Sequence, residues 1–428
     1  MKVKYQRPRG TMDYLPDYLD RWSYIEEIWR TLTRTYGFRE IRTPVFELTD
    51  LFVRGAGETS DIVSKEMYTF TDRGGRSISL RPEGTAAVAR AYLENHLYTG
   101  PQPTKLFYVM PMFRYERPQA GRYRQHTQYG VEVIGSADPW TDAEVIHLTT
   151  VFYERLGIQE IEVHLNSVGD KQCRSHYNEI LLNYLRSISE HLCTDCRNRM
   201  ERNPLRVLDC KQQGCQSYLV QAPKMVDHLC LPCEEHFSKV RRYLEQFDIT
   251  YIINPRLVRG LDYYTRTAFE VISKRLGAQD AIAGGGRYDG LLELLGGNPT
   301  PAIGFGAGME RLIYALERHG IEVPQRQHLA VFVISVGEAA RQEAEQIVTR
   351  LRAAGIASDL DHIASTKLKN QLTKAIRLGA RYAAIIGDDE LAQDTVVLRD
   401  LADASQESLA RGSLVEVLRQ RLDNSNLC

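Results

Sequence analysis

Arg114, Arg117, Arg122 and Arg124 crowd around a Pro118/Gly121 turn, between the apolar run Leu106–Phe113 and the alternating run Tyr129–Ile134. Strand, long turn, strand is the pattern of a hairpin, here with guanidinium groups fanned out at its tip. A tip that needed only solubility would mix Lys, Glu and Ser. Arginine is favoured where planar phosphates are gripped in a fixed orientation, because its fork makes two parallel bonds. A solvated basic hairpin is the plain alternative.

At 428 residues the chain is too long for one ordinary domain, so two or three are expected. Its 43% apolar and 25% charged residues are those of a soluble globular protein with ample core. The net charge of −1 leaves any nucleic-acid contact to local patches. The segment from Met1 to Arg9 has no apolar core of signal-peptide type, and no uncharged run approaches the roughly 18 residues of a membrane span. A cytoplasmic protein without membrane attachment is expected.

Six of the eight cysteines lie between Cys193 and Cys233. Cys193 and Cys196 form one C-x-x-C pair, Cys230 and Cys233 another. Such pairs in a reducing compartment suggest a structural zinc knuckle, thiolates converging tetrahedrally where two short turns meet. Cys210 and Cys215 compete as ligands, and reduced, unmetallated thiols are the alternative.

Along the chain, Tyr24, Ile25, Ile28, Trp29 and Leu32 share one helical face that ends near Gly37. Phe38–Val45 reads as a short strand, kept to an edge or interface by Pro44. Residues 66–82 suggest a hairpin turning at Asp72–Gly75, followed by helices over Glu83–Leu97 and Asp142–Leu156. Residues of about 170–250 hold the cysteines, polar helices and few strand signals, as an insert between two halves of one sheet domain would. Strand patterns return from Tyr251 and include Ala268–Ser273, Ala283–Gly290 and Ala302–Gly308, the last running into a helix at Met309–Arg318. After a polar linker at His319–Gln327, strands alternating with helices predict a separate, mainly parallel α/β unit, 326–428, beside a larger unit, 1–325. Its second helix carries Leu368, Leu372 and Ile376 on one side. Lys367, Lys374, Arg377 and Arg381 lie roughly opposite, either a solvated face or a phosphate-tracking one.

Three elements point toward one site: the arginine hairpin, Arg259-Gly-Leu-Asp-Tyr-Tyr-Thr with Ala283-Gly-Gly-Gly-Arg-Tyr-Asp-Gly290, and Phe305-Gly-Ala-Gly-Met-Glu-Arg311. There is neither a Gly-Lys-Ser/Thr phosphate loop nor a dinucleotide fingerprint. A nucleoside triphosphate here would have to be neutralised by arginines.

These segments, with Arg9-Gly-Thr and Leu80-Arg-Pro-Glu-Gly-Thr-Ala86, closely resemble the class II aminoacyl-tRNA synthetases, and among them the bacterial histidyl-tRNA synthetases, nearly end to end. The resemblance implies an α+β catalytic domain, an antiparallel sheet flanked by helices, with a mostly helical insert and a C-terminal α/β anticodon-binding domain. It implies activation of L-histidine by ATP to histidyl-adenylate and pyrophosphate, then transfer to the 3′ end of histidine tRNA. By that likeness Arg114, Arg311 and Arg259 are catalytic. Arg114 holds the α-phosphate, Arg311 the γ-phosphate end, and Arg259 approaches the α-phosphate and the histidine carboxylate. Glu116 faces adenine, Arg122 lies near the pyrophosphate, and Mg²⁺ bridges phosphates.

The same likeness places Glu83, Gly84, Thr85 and Gln128 around the histidine α-amino group, and Glu132, Tyr263 and Tyr264 around its imidazole. A cross-strand salt bridge to a hairpin arginine is the alternative for Glu132. Arg117 and Gln119 match a hairpin tip that reads the extra 5′ guanosine of histidine tRNA. The helix and strand ending at Pro44 match a homodimer element. The cysteines lie outside the family pattern, so zinc gains no support from it. A non-catalytic paralogue, the regulatory subunit of ATP phosphoribosyltransferase, keeps the fold but usually lacks the C-terminal domain and erodes the arginines present here. A zinc-containing nucleic-acid-binding protein without catalysis would leave the Glu/Gln/Tyr pocket without a task.

Overall fold

The computed structural model describes residues 4–57, 60, 62–117, 120–277, 280–324, 329–363 and 367–425. Two compact units result, Met1–Pro324 and Gln325–Cys428.

The larger unit contains the strands β1 (Arg39–Glu40), β2 (Phe46–Leu48), β3 (Thr69–Thr71), β4 (Ser77–Leu80), β5 (Thr104–Phe113), β6 (Gln125–Ile134), β7 (Glu162–Ser167), β8 (Tyr251–Ile253), β9 (Thr265–Ile272), β10 (Ala281–Arg287) and β11 (Ala302–Gly308). Its main sheet runs β1-β5-β6-β11-β10-β9-β7-β8, and β2-β4-β3 form a small second sheet. From β5 to β7 the main sheet is antiparallel, with one parallel pair at each edge, β1 on β5 and β7 on β8.

Alternation along the strands sorts the two faces. Tyr129, Val131 and Val133 of β6, Phe305 of β11 and Phe269 of β9 enter one core with Trp29 and Phe152. The Trp29 ring meets Tyr129, Phe152 and Phe305 at centroid distances of 5.1, 4.9 and 5.8 Å. Helices Pro16–Thr35, Pro139–Arg155 and Met309–His319 supply the other side of that core. Intervening residues of the same strands, Gln128, Glu132, Gly304, Gly306, Glu270 and Gly284, belong to the opposite face.

The hairpin is a ten-residue ladder, from Thr104 opposite Ile134 to Phe113 opposite Gln125. The strand expected over Phe38–Val45 shrinks to Arg39–Glu40 because a side chain replaces the ladder. Arg81 Nη1 donates to the carbonyls of Thr43 (2.6 Å) and Pro44 (3.0 Å). The predicted hairpin at 66–82 is β3–β4, with Asp72 Oδ1 accepting from Gly74 N at 2.8 Å and Arg76 N at 2.9 Å in its turn.

The insert between β7 and β8 contains helices Lys171–Ser187, Thr194–Met200, Gln213–Leu219 and Leu231–Gln246. One site built from Cys193, Cys196, Cys230 and Cys233 does not form. Cys193 and Cys196 join Cys210 and Cys215, whereas Cys230 and Cys233 join Asp170 and Cys173. Each C-x-x-C pair opens its own helix, and the two helices start at different places in the insert.

In the smaller unit, strands β12 (Val331–Ser335), β13 (Ser358–Leu360), β14 (Tyr382–Ile386), β15 (Thr395–Asp400) and β16 (Gln406–Ala410) form a sheet ordered β13-β12-β14-β15-β16. It is mixed rather than mainly parallel: β12 is parallel to both neighbours, and the remaining two pairings are antiparallel. Helix Leu368–Arg377 buries Gln371 and Ala375, while Leu368 and Ile376 are exposed. Packing is therefore rotated from the expected Leu/Ile stripe. Gln371 explains this, since its amide exchanges two hydrogen bonds with the Ser335 backbone (3.3 and 2.7 Å). On the basic side, Lys374 pairs with Asp361 at 2.6 Å and Arg381 with Asp400 at 2.7 Å, leaving Lys367 and Arg377 as its solvent-facing cations.

Candidate active site

A cleft of about 250 Å³ lies over the second face of the main sheet. Close approach requires its glycine floor. A Cβ on Gly304 would lie 1.9 Å from Glu132 Oε2, one on Gly306 1.7 Å from Gln128 Nε2, and one on Gly284 2.3 Å from Arg259 Nη1. Real Cβ contacts are never that short, so bulk is withheld there to admit polar side chains.

Arginines enter from three elements. Arg114 leaves the end of β5 and donates through Nε to the Pro82 carbonyl at 2.7 Å. Arg311, in the first turn of its helix, reaches the carbonyls of Ala281 and Ala120, both at 3.4 Å, and its buried Nη2 has no partner. Burial, then neighbouring Arg122, lowers the pKa of Arg311. Arg259 pairs with Glu270 through Nη1, while its buried Nε is unpaired. Arg122 stands 3.6 Å from Glu116, and both line the cleft. Donors without acceptors, gathered over one floor, form a site for an anion.

Deeper in, Glu83, Thr85, Gln128, Tyr263 and Tyr264 line the same cleft. Glu83 accepts from the backbone N–H groups of Thr85 (2.7 Å) and Ala86 (2.9 Å), capping helix Thr85–Glu94. Burial still raises its pKa. Gly84 lies behind it, where a Cβ would stand 2.6 Å from the Tyr108 ring. Glu132 is fully buried one layer below the cleft surface. Thr85 Oγ1 donates to it at 2.7 Å, Tyr288 OH at 2.6 Å and Tyr108 OH at 3.4 Å. Burial pushes its carboxyl up to about 8 against the pull of these hydroxyls. Its partners are hydroxyls, and no hairpin arginine is among them.

Arg117 is exposed at the hairpin tip, and Gln119 lies outside the described residues. Several cleft groups escaped the sequence reading. His126 lines it beside Arg114, and burial, then that arginine's charge, push its pKa down to about 3. Glu310, buried and pushed up to about 7, accepts from Tyr14 OH (2.5 Å) and Thr127 N (2.8 Å). Glu270 alternates with apolar Phe269 and Val271 along β9, the one available signal that it faces the cleft. Tyr288 was quoted only as part of the glycine motif.

The lining carboxylates Glu83, Glu116, Glu270 and Glu310 do not gather into a cage. Among the described residues, the groups of three or more close metal-type ligands are the two cysteine clusters. The donor set therefore fits a magnesium ion held mainly by phosphate oxygens, the ordinary mode for this cation at nucleotides.

The family model described as histidyl-tRNA synthetase matches residues 10–171 and 197–312, and one described as anticodon binding domain matches 330–421. The histidine–tRNA ligase of Pelotomaculum thermopropionicum is 54% identical over 416 residues, 97% of this chain and 98% of that protein. The crystal structure of apo S. aureus histidyl-tRNA synthetase superimposes with a TM-score of 0.83 at 39% identity, covering 97% of this chain and 99% of that one. A crystal structure from Bacillus halodurans, described as an ATP phosphoribosyltransferase regulatory subunit/histidyl-tRNA synthetase, shares the fold at 22% identity and a TM-score of 0.61, over 90% of this chain and 99% of that one. The chain belongs to the histidyl-tRNA synthetase family, within the aminoacyl-tRNA synthetases.

Proposed function

We propose that this chain is a histidine–tRNA ligase, joining L-histidine to AMP at the expense of ATP and passing the amino acid to histidine tRNA. The observation that carries the reading is the convergence of Arg114, Arg259 and Arg311, from three separate elements, on one glycine-floored cleft. In the first step a histidine carboxylate oxygen attacks the α-phosphorus. The new bond is P–O to the acyl group, and the broken one joins the α-phosphorus to the β-bridging oxygen, which leaves with its electron pair as pyrophosphate. Negative charge grows on the α-phosphate oxygens, so fixed cations there are worth more in the transition state than before it. Arg114 and Arg259 serve that position, Arg311 and Arg122 the departing pyrophosphate, and Glu116 faces adenine. Magnesium bound with ATP would supply further neutralisation, held mainly by the phosphate oxygens.

In the second step the terminal ribose hydroxyl of tRNA attacks the acyl carbon and gives up its proton to the departing phosphate, and AMP leaves with the electrons of the acyl–oxygen bond. Glu83, Thr85 and Gln128 hold the histidine ammonium. Tyr263 and Tyr264, with Glu132 in the layer beneath them, form the pocket for the imidazole. An apolar ring of similar size would leave these groups unpaired, the strong form of discrimination. Arg117 and Gln119 contact the 5′ end of histidine tRNA. Val45, Phe46, Leu48 and Phe70, large apolar side chains exposed on or beside the small sheet, support a C2 homodimer through that face. Light scattering at micromolar concentration should give twice the chain mass; the monomer mass would reject the dimer.

Histidine-dependent exchange of labelled pyrophosphate into ATP tests the reading, with the other standard amino acids as controls. Exchange with histidine alone is expected. Folded protein without it would contradict the assignment.

A further inference from the structure

We infer that the insert is a two-zinc module, and that its metal sites brace the Arg259–Tyr264 loop from below. The first set is Cys193, Cys196, Cys210 and Cys215, the second Asp170, Cys173, Cys230 and Cys233; within each, the ligand atoms lie within 4.8 Å of one another. Zinc at about 2.3 Å from each sulfur sets neighbouring sulfurs about 3.8 Å apart in a tetrahedron. Cys193 and Cys210 Sγ stand 4.0 Å apart, far beyond the roughly 2.05 Å of a disulfide.

Thiols that merely filled a core would be indifferent to their polar surroundings. These are not. Cys193 N donates to Cys215 Sγ at 3.1 Å, Gln212 N to Cys210 Sγ at 3.4 Å, and Cys230 N to Cys173 Sγ at 3.1 Å, so backbone donors already orient these sulfurs. In the second set two helices, Lys171–Ser187 and Leu231–Gln246, begin at the same point. Their N-termini meet at the sulfurs, which gathers the Cys173 and Cys230–Cys233 side chains from two rigid elements. Asp170 spends Oδ1 on the Cys173 N–H (3.0 Å), and its Oδ2 faces Cys230 Sγ at 3.6 Å, on the side a metal would take.

A metal also answers a packing need. Between Ile188 and Cys230 no helix exceeds seven residues, and such short pieces require a staple to hold one arrangement. What they hold is the catalytic loop. From the segment between Cys196 and Cys210, Asn203 Nδ2 donates to Asp262 Oδ1 (3.0 Å) and Arg206 Nη1 to the Arg259 carbonyl (3.2 Å). Gln216, beside Cys215, accepts from Arg256 Nη1 at 2.5 Å. Arg174, one residue past Cys173, donates to the Tyr264 carbonyl. Both sets thus grip the loop that presents Arg259. The bracing role rests on the function proposed for Arg259, whereas the metal content does not.

Full-length protein purified without chelator should carry two zinc ions per chain by elemental analysis. Replacement by Co(II) should give the thiolate charge-transfer and d–d bands of tetrahedral sites. Cys210→Ser with Cys215→Ser should remove one metal, and Cys173→Ser with Cys230→Ser the other. Should either pair fail to fold, titrating wild-type thiols with a mercurial must still release two zinc ions per chain. None or one would overturn the two-site proposal. In the first double variant, amide-exchange protection of residues 256–264 should fall and pyrophosphate exchange drop about tenfold; unchanged protection would overturn the bracing role.

Discussion

Arg287 ends strand β10 and Arg259 lies in the loop before β9, yet their surroundings are opposite in kind. Arg287 is wholly buried, and each of its nitrogens is used: Nε to Asp289 (3.2 Å), Nη1 to Asp142 (2.6 Å) and Nη2 to the Ser136 carbonyl. His236 and Thr267 complete the Asp142 carboxylate at 2.8 and 2.6 Å. Arg259 has one carboxylate partner and a buried nitrogen with none; Arg311 reaches two backbone carbonyls and likewise keeps a buried nitrogen with none. A saturated arginine fixes the fold. An unsaturated one, already desolvated and held in place, is ready for a ligand's charge. The cost of leaving donors unpaired is accepted only where function returns it.

Substitutions should split along this line. Arg287→Ala leaves Asp142 buried with its main cation gone, and should cost about 3–5 kcal/mol of stability. Denaturant unfolding checks this, with pyrophosphate exchange persisting in whatever fraction stays folded. Arg259→Ala should instead keep its melting temperature and lose about 10²–10³-fold in exchange rate, the range for removing one transition-state donor. If the two variants exchanged phenotypes, the distinction between them would be wrong.

Glu132 tests the boundary, being buried like Arg287 but assigned to the substrate. Its folded pKa of about 8 lies above the ordinary 4.5, so the folded chain retains a proton that the unfolded chain has released. Its contribution to stability is therefore whole at low pH and falls as pH rises from about 4.5 through about 8. Glu132→Gln should flatten that fall, gaining about 1–3 kcal/mol over wild type near pH 9, while histidine-dependent exchange drops at least tenfold. Parallel stability–pH profiles would remove the buried-acid description. Arg117→Ala, at the exposed tip, should have the smallest effect. Charging of histidine tRNA falls about tenfold with adenylate formation unchanged, as separate exchange and aminoacylation assays would reveal.

Local chemistry made much of this legible. The hairpin from Thr104 to Ile134 follows from alternation interrupted by a Pro/Gly turn, and the motif residues around Arg114, Arg259 and Arg311 do reach a common cleft. What escaped depends on distant partners. Arg81 replaces a strand's ladder from another element, and Gln371 turns the basic helix by bonding Ser335. The two C-x-x-C pairs separate because each opens its own helix, and no spacing rule says which helices meet. Strand β7 precedes the insert and stayed hidden because its pattern, Glu162 to Ser167, is half polar. Glu270 looks like any outward strand residue until Arg259 is placed opposite.

The most direct test of the central claim is a crystal structure of this protein with ATP and histidine, or with the adenylate they form. Arg114 and Arg259 should contact the α-phosphate, with Arg311 beyond it toward the pyrophosphate end. Ligands bound in the cleft with those two guanidinium groups still engaged only by Pro82 and Glu270 would contradict it.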